Sequence, residues 1–217
     1  KLGNEYIEFT GEPSIIRLSQ AIENDLQVKR AQIRKTIEEH LNKELKLNPI
    51  GIKVLSLFFI DNVANYRQYD SDNNRILGEY AKIFEEEYED VICSEKYKAL
   101  RDCHAPVSEV HDGYFSVDGK GKIKNTNGTS QSDESTYQII MKDKEDLLTF
   151  YDEEKGNVKK AHKLRFIFSH SALKEGWDNP NVFQICTLIE TKDTITKRQK
   201  IGRGLRIAVN QEGERMP

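Results

Sequence analysis

The sequence predicts an α/β fold, a mainly parallel β-sheet flanked by helices, and three observations carry that prediction. The runs Ile52–Ile60, Leu164–Phe168 and Val182–Leu188 are largely apolar rather than alternating, as expected for strands covered on both faces. Between them, apolar residues recur at spacings of three and four, the helical period. The second run stops at small polar residues and a glycine before the third begins, so two buried strands are joined by a loop. In open α/β sheets that loop position, at the strand carboxyl ends, is where ligands sit. Residues 52–210 make one lobe with a hairpin and loop insertion at about 111–136, a helical lead-in over 1–51 and a tail over 211–217.

In chain order, Gly11-Glu12-Pro13-Ser14 is a turn and cap signal, and a helix is expected to follow. Ile15, Leu18, Ile22 and Leu26 give its first apolar stripe. Ile33, Ile37, Leu41 and Leu45 give a second after a phase slip at Lys29–Arg30. That predicts two pieces or one long bent helix. His40 reads as an ordinary packing residue. Asn48-Pro49-Ile50-Gly51 breaks the pattern, and the strand over Ile52–Ile60 is closed by Asp61. Tyr80, Ile83, Phe84 and Tyr88 predict a helix whose Glu85, Glu86 and Glu87 face water, and a shorter helical patch spans Glu95–Leu100. Gly113–Val117 alternates, Asp118–Gly121 is a hairpin-type turn, and the polar tract Lys124–Glu134 is too poor in apolar residues to order itself. Tyr137–Tyr151 returns to a helical pattern. Lys159, Lys160, His162, Lys163 and Arg165 then form a dense positive patch, suited equally to phosphate contact and to a solvated loop.

Composition bounds the function. Charged residues make up 32% of the 217, yet the formal net charge is -3, so any nucleic-acid contact must come from a local patch. Cys93, Cys103 and Cys186 form no Cys-x-x-Cys pair and cannot all be bridged, which suits a reducing cytosol. Cys103 and His104 adjoin, but no second ligand pair stands at zinc spacing, so no metal site is predicted. No apolar run approaches the ~20 residues needed to span a bilayer. The expectation is a cytoplasmic protein with no membrane partner. A chain that starts at Lys1 without Met is expected to be a piece of something longer.

The candidate site follows the second strand. Gln199, Arg203 and Arg206 stand at offsets of four and seven, so on a helix all three share a face. Two guanidiniums on one face form an anion clamp. Gly202 and Gly204 would each cost a helix interior ~1 kcal/mol relative to Ala. Close backbone approach to another lobe or a phosphate would offset that.

Gly176-Trp177-Asp178 and Gln199-x-x-Gly202-Arg203-x-x-Arg206 resemble motifs V and VI of superfamily 2 helicases. The longer string Phe166–Leu188, together with Lys197–Arg206, is similar to the restriction (Res) subunit of type III restriction endonucleases, and the likeness extends loosely upstream to Ile52–Asp61 as motif IV. It covers most of the chain and implies the second RecA-like lobe of a helicase core. On that resemblance Arg203 and Arg206 would act as catalytic arginine fingers. Gly176, Asp178, Gln199 and Gly202 would join them in contacting ATP and Mg2+, shared with a missing first RecA-like lobe. The phosphate-cradling Gly-x-x-x-x-Gly-Lys-Ser/Thr string is absent here, so the isolated chain is expected to be inactive. Ser169, His170, Ser171, Asp61 and Arg67 would meet the DNA backbone. The implied partners are double-stranded DNA, the modification-methyltransferase (Mod) subunit, and a nuclease domain on the same polypeptide. Two alternatives stand beside this reading. Asp178 with Glu190-Thr191-Lys192 superficially resembles the metal site of restriction nucleases, which would make the chain the DNA-cleaving domain itself. The chain could also be a non-catalytic interaction domain.

Overall fold

The computed structural model describes residues 6–8, 15–17, 21–72, 74–101, 105–115, 144–152, 159–170 and 181–189. Its centre is a four-stranded, wholly parallel sheet. The strands are β3 (Leu55–Phe59), β6 (His111–Tyr114), β7 (Phe166–Ser169) and β8 (Val182–Thr187), in the order β6-β7-β3-β8. The predicted apolar runs thus lie side by side, with Phe59 opposite both Ser169 and Thr187. Helices cover both faces. On one, Phe58, Phe166 and Phe168 pack against α1 (Ala21–Leu47) and α2 (Glu79–Ile92). On the other, Leu57 and Ile167 meet Leu147 of α5 (Lys144–Leu148) and Ala161 of α6 (Lys160–Lys163). Burying each large apolar side chain stabilises by about 1.5–3 kcal/mol, so continuous apolar runs select the covered, parallel arrangement. The fold is α/β and consistent with a RecA-like lobe.

Two elements differ from the sequence reading. The stretch from Ile15 is not helical at its start: Ile15–Arg17 is a strand, β2, paired antiparallel with β1 (Tyr6–Glu8). Its two β-branched isoleucines suit extended chain, and the helix begins only at Ala21. From there α1 runs unbroken through the phase slip. The inward position at the slip is taken by Lys29, 5% exposed, whose ammonium lies 3.0 Å from Asp25, while Leu26 is turned outward. A lysine with its charge compensated can fill an apolar stripe.

The stretch set aside as an insertion begins inside the sheet. His111–Tyr114 pairs parallel with β7, because Val110 and Tyr114 bury with the core. Gly113 is required there: a Cβ would lie 2.3 Å from the Phe115 ring. Among the described residues an antiparallel hairpin is formed by β4 (Arg67–Tyr69) and β5 (Arg75–Leu77), and the predicted turn Asp118–Gly121 lies outside the described residues. The polar tract 124–134 lies outside the described residues, as does Cys103-His104. Two short helices, α3 (Lys98–Arg101) and α4 (Val107–Val110), complete the described chain.

Candidate functional site

The carboxyl ends of β3, β7 and β8 form one rim of the sheet, and each described rim residue is placed by strand register. Ile60 N–H donates to Ser169 O at 2.9 Å, and Leu188 N–H donates to Phe59 O at 2.8 Å, extending both ladders by a step. Ser169 is fully buried. Its Oγ, and Oγ1 of Thr187 across β3, have no hydrogen-bond partner among the described residues. Both flank Phe59, and strand alternation turns them to the same face. An unsatisfied buried hydroxyl costs about 1–3 kcal/mol, so two at a rim are groups poised to donate or accept there. Sequence reasoning singled out Ser169 and passed over Thr187. The only available signal was a hydroxyl residue near the end of an apolar run. His170 follows β7 and is half-buried.

Asp61 is exposed at the end of β3 and organises the turn after it. Its Oδ1 accepts from Asn62 N–H at 2.8 Å and Asn65 Nδ2 at 2.9 Å, and Tyr80 OH donates to Oδ2 at 3.3 Å. Burial, followed by the Asp61 charge, holds the Tyr80 hydroxyl well above its ordinary pKa. Arg67, grouped with Asp61 in the sequence reading, stands apart from it. It is 5% exposed and ion-paired with Asp112 of β6. Its guanidinium also lies 5.6 Å from the Phe115 ring centroid. In this arrangement it locks the hairpin to the sheet edge rather than facing solvent. Gly176, Asp178, Gln199, Gly202, Arg203, Arg206 and Ser171 all lie outside the described residues, as do Glu190 and Lys192 of the nuclease-like pattern. Among the described residues no cluster of His, Cys, Asp and Glu could hold a metal ion, and no helix is long and apolar enough to cross a membrane.

The positive patch at 159–165 resolves into pairs. Lys159 meets Asp146 at 2.6 Å, Lys163 meets Glu109 at 2.6 Å, and Lys160 meets Asp112. Arg165 is buried, with Glu44 at 2.7 Å and Tyr88 OH beside it. The patch is therefore a set of clasps to acids 13 to 121 residues away, separations at which local charge counting fails.

Glu44 also joins a buried polar row. Its Oε1 is 3.1 Å from His40 Nε2, a close approach without hydrogen-bond alignment. Ser56 Oγ lies 2.7 Å from His40 Nδ1 and 3.0 Å from Gln184 Oε1. His40 is thus a polar link between α1 and the sheet, although its ring also packs 4.0 Å from Phe166. Burial depresses its pKa, against the pull of Glu44. Nearby, Lys53 donates to the carbonyls of Thr149, Ala161 and His162 at 2.9, 3.1 and 2.8 Å. Those oxygens lie at the ends of α5 and α6, where helix carbonyls lack internal partners. Burial, reinforced by Arg165, nonetheless pulls the Lys53 pKa down to about 7.

No family model matches the chain. It is similar to the type III restriction-modification enzyme EcoP15I Res subunit of Escherichia coli, 40% identical over 189 residues, or 82% of this chain and 17% of the relative. The EcoPI Res subunit of Escherichia phage P1 is 38% identical over 195 residues, 83% of this chain and 18% of the relative. The StyLTI Res subunit of Salmonella typhimurium is 33% identical over 190 residues, 81% and 18%. The chain is therefore homologous to a segment of type III Res subunits, and spans less than a fifth of their length.

Proposed function

We propose that this chain is the second RecA-like lobe of the ATP-dependent motor in a cytoplasmic type III restriction enzyme. The lobe would couple ATP hydrolysis to DNA translocation or switching before cleavage. The observation that carries the reading is 33–40% identity to Res subunits over at least 81% of the chain, combined with a parallel sheet whose carboxyl rim leads directly into the sequence motifs.

In this reading Arg203 and Arg206 neutralise charge developing on the γ-phosphate, an arginine-finger role worth ~10³–10⁵ in rate. Gln199 orients the phosphate end, while Gly176, Asp178 and Gly202 line the nucleotide side of the loop and helix. ATP with Mg2+ supplies the driving hydrolysis, held mainly by a first lobe elsewhere in the polypeptide. His170, Ser171 and Asp61 meet the DNA backbone, contacts that carry no sequence information, while Ser169, fully buried at the end of β7, stands behind them. Target choice then falls to a Mod-type partner, and cutting to a nuclease domain outside this segment. Arg67 contributes by fixing the hairpin to β6.

The test is ATP turnover of the full-length Res–Mod complex with DNA. Arg206→Ala should lower kcat by at least ~10³-fold with unchanged circular dichroism. Turnover within a few-fold of wild type would reject the finger assignment, and brisk DNA-stimulated hydrolysis by the 217-residue chain alone would reject the lobe assignment.

A further inference from the structure

A cleft of about 350 Å³ lies beside the edge of the sheet, walled by the β4–β5 hairpin, α2, α4, α6 and β6. Its volume falls within the range of small-molecule sites. It stands apart from the strand carboxyl ends, because its two residues on β6, His111 and Asp112, pair with Phe166 and Ile167 at the start of β7.

Depth sorts the lining by charge. Its two acids stand inside: Asp112 is buried, with Arg67 on one oxygen and Lys160 on the other, and Glu85 faces His111 at 3.2 Å. The exposed members are Arg75, Lys160, Ser108, Ile76 and Leu77. Among the described residues the mouth therefore shows two cations, one hydroxyl and an adjacent apolar pair. The cations are also crowded. Lys160 shares its carboxylate with Arg67, and burial, followed by the like charge of Arg67, lowers the Arg75 pKa. An anion at the mouth relieves that repulsion. A dianion answers both exposed cations, where a carboxylate answers one. A phosphoryl group also offers three oxygens, enough for a guanidinium, an ammonium and a hydroxyl together.

We propose that this cleft binds a small phosphomonoester. Its phosphoryl group sits between Arg75 and Lys160 and accepts from the Ser108 hydroxyl, and its apolar body lies on Ile76 and Leu77. Nothing in this depends on nucleotide or DNA at the rim, so the site should fill in their absence.

Phenyl phosphate is a suitable probe, with inorganic phosphate and benzoate as its controls. At about pH 8 a phosphomonoester is a dianion. Titration calorimetry and ligand-observed NMR on the full chain should then show saturable one-to-one binding of phenyl phosphate with Kd of ~0.1–1 mM. Inorganic phosphate should bind about tenfold more weakly for want of the ring, and benzoate about tenfold more weakly for want of the second charge. Arg75→Ala and Lys160→Ala, both at exposed positions, should each weaken phenyl phosphate by at least ~tenfold. Ile76→Ser should bring it down toward inorganic phosphate. Arg206→Ala, in the motif proposed to clamp ATP, should leave the affinity unchanged, so this test and the turnover test fail separately. Absence of saturable phenyl phosphate binding would overturn the proposal. So would benzoate binding as tightly as phenyl phosphate, or binding that survives both cation variants, which would put the anion elsewhere on the chain.

Discussion

Arg165 is a cation in the interior that pairs with the Glu44 carboxylate and lies beside the Tyr88 hydroxyl. Glu44→Ala strips that charge balance from a buried guanidinium, and removing one member of a buried pair costs about 3–5 kcal/mol. Chemical denaturation should show a loss of that size, with Glu44→Gln intermediate. Lys53 gives up its proton at a lower pH than a surface lysine. Its folded pKa is about 7 against an ordinary 10.5, so between those values the unfolded chain holds the extra proton. Stability should therefore rise with pH across roughly 7.5 to 9.5, and the rise should flatten in Lys53→Met. A flat wild-type profile would show that the ammonium stays charged throughout. None of these partnerships could be read from the chain, since Glu44 and Arg165 are 121 positions apart. His40, read as plain packing, was placed correctly in the interior, but its polar contacts depend on which strands lie beneath it.

At the scale of elements, the acidic run in α2 was legible as one helix surface and misread as a solvated one. Glu86 and Glu87 meet Arg30 at 2.7 Å each, Glu87 also meets Arg34 at 2.6 Å, and Glu85 lies 3.2 Å from His111. α1 and α2 are thus riveted outside their apolar seam. Burial separates the two rivets: the Glu87 side chain is 11% exposed and the Glu86 side chain 62%. Exposed pairs contribute about 0–1 kcal/mol, whereas hydrogen bonds to a partly buried charge reach about 1.5–3. Glu87→Ala should lower the thermal midpoint clearly and Glu86→Ala barely, with added salt erasing only the second effect. Helix α1 itself was visible from Ile33, Ile37 and Leu41, all fully buried. Its start was not, because the β1–β2 ribbon that claims Ile15–Arg17 is a tertiary pairing.

Across the whole molecule, three of the four sheet strands announced themselves as apolar runs, and their parallel order followed from that character. The fourth, β6, reads His-Asp-Gly-Tyr, and only its last two residues belong to the alternating segment read from the sequence. It is a strand because Asp112 is neutralised by Arg67 and Lys160 at the sheet edge. The motif string at 176–206 lies outside the described residues, and the chemistry proposed for it stands on the turnover test above. Lys53 has a further consequence, for time rather than for energy. Its three acceptors lie 96 to 109 residues along the chain, and contacts of such long loop are slow to close. They should be absent at the folding barrier. Lys53→Met should then hasten unfolding in stopped-flow chevrons while leaving the refolding limb nearly in place, making this buried amine a latch on the finished structure and no part of its nucleus.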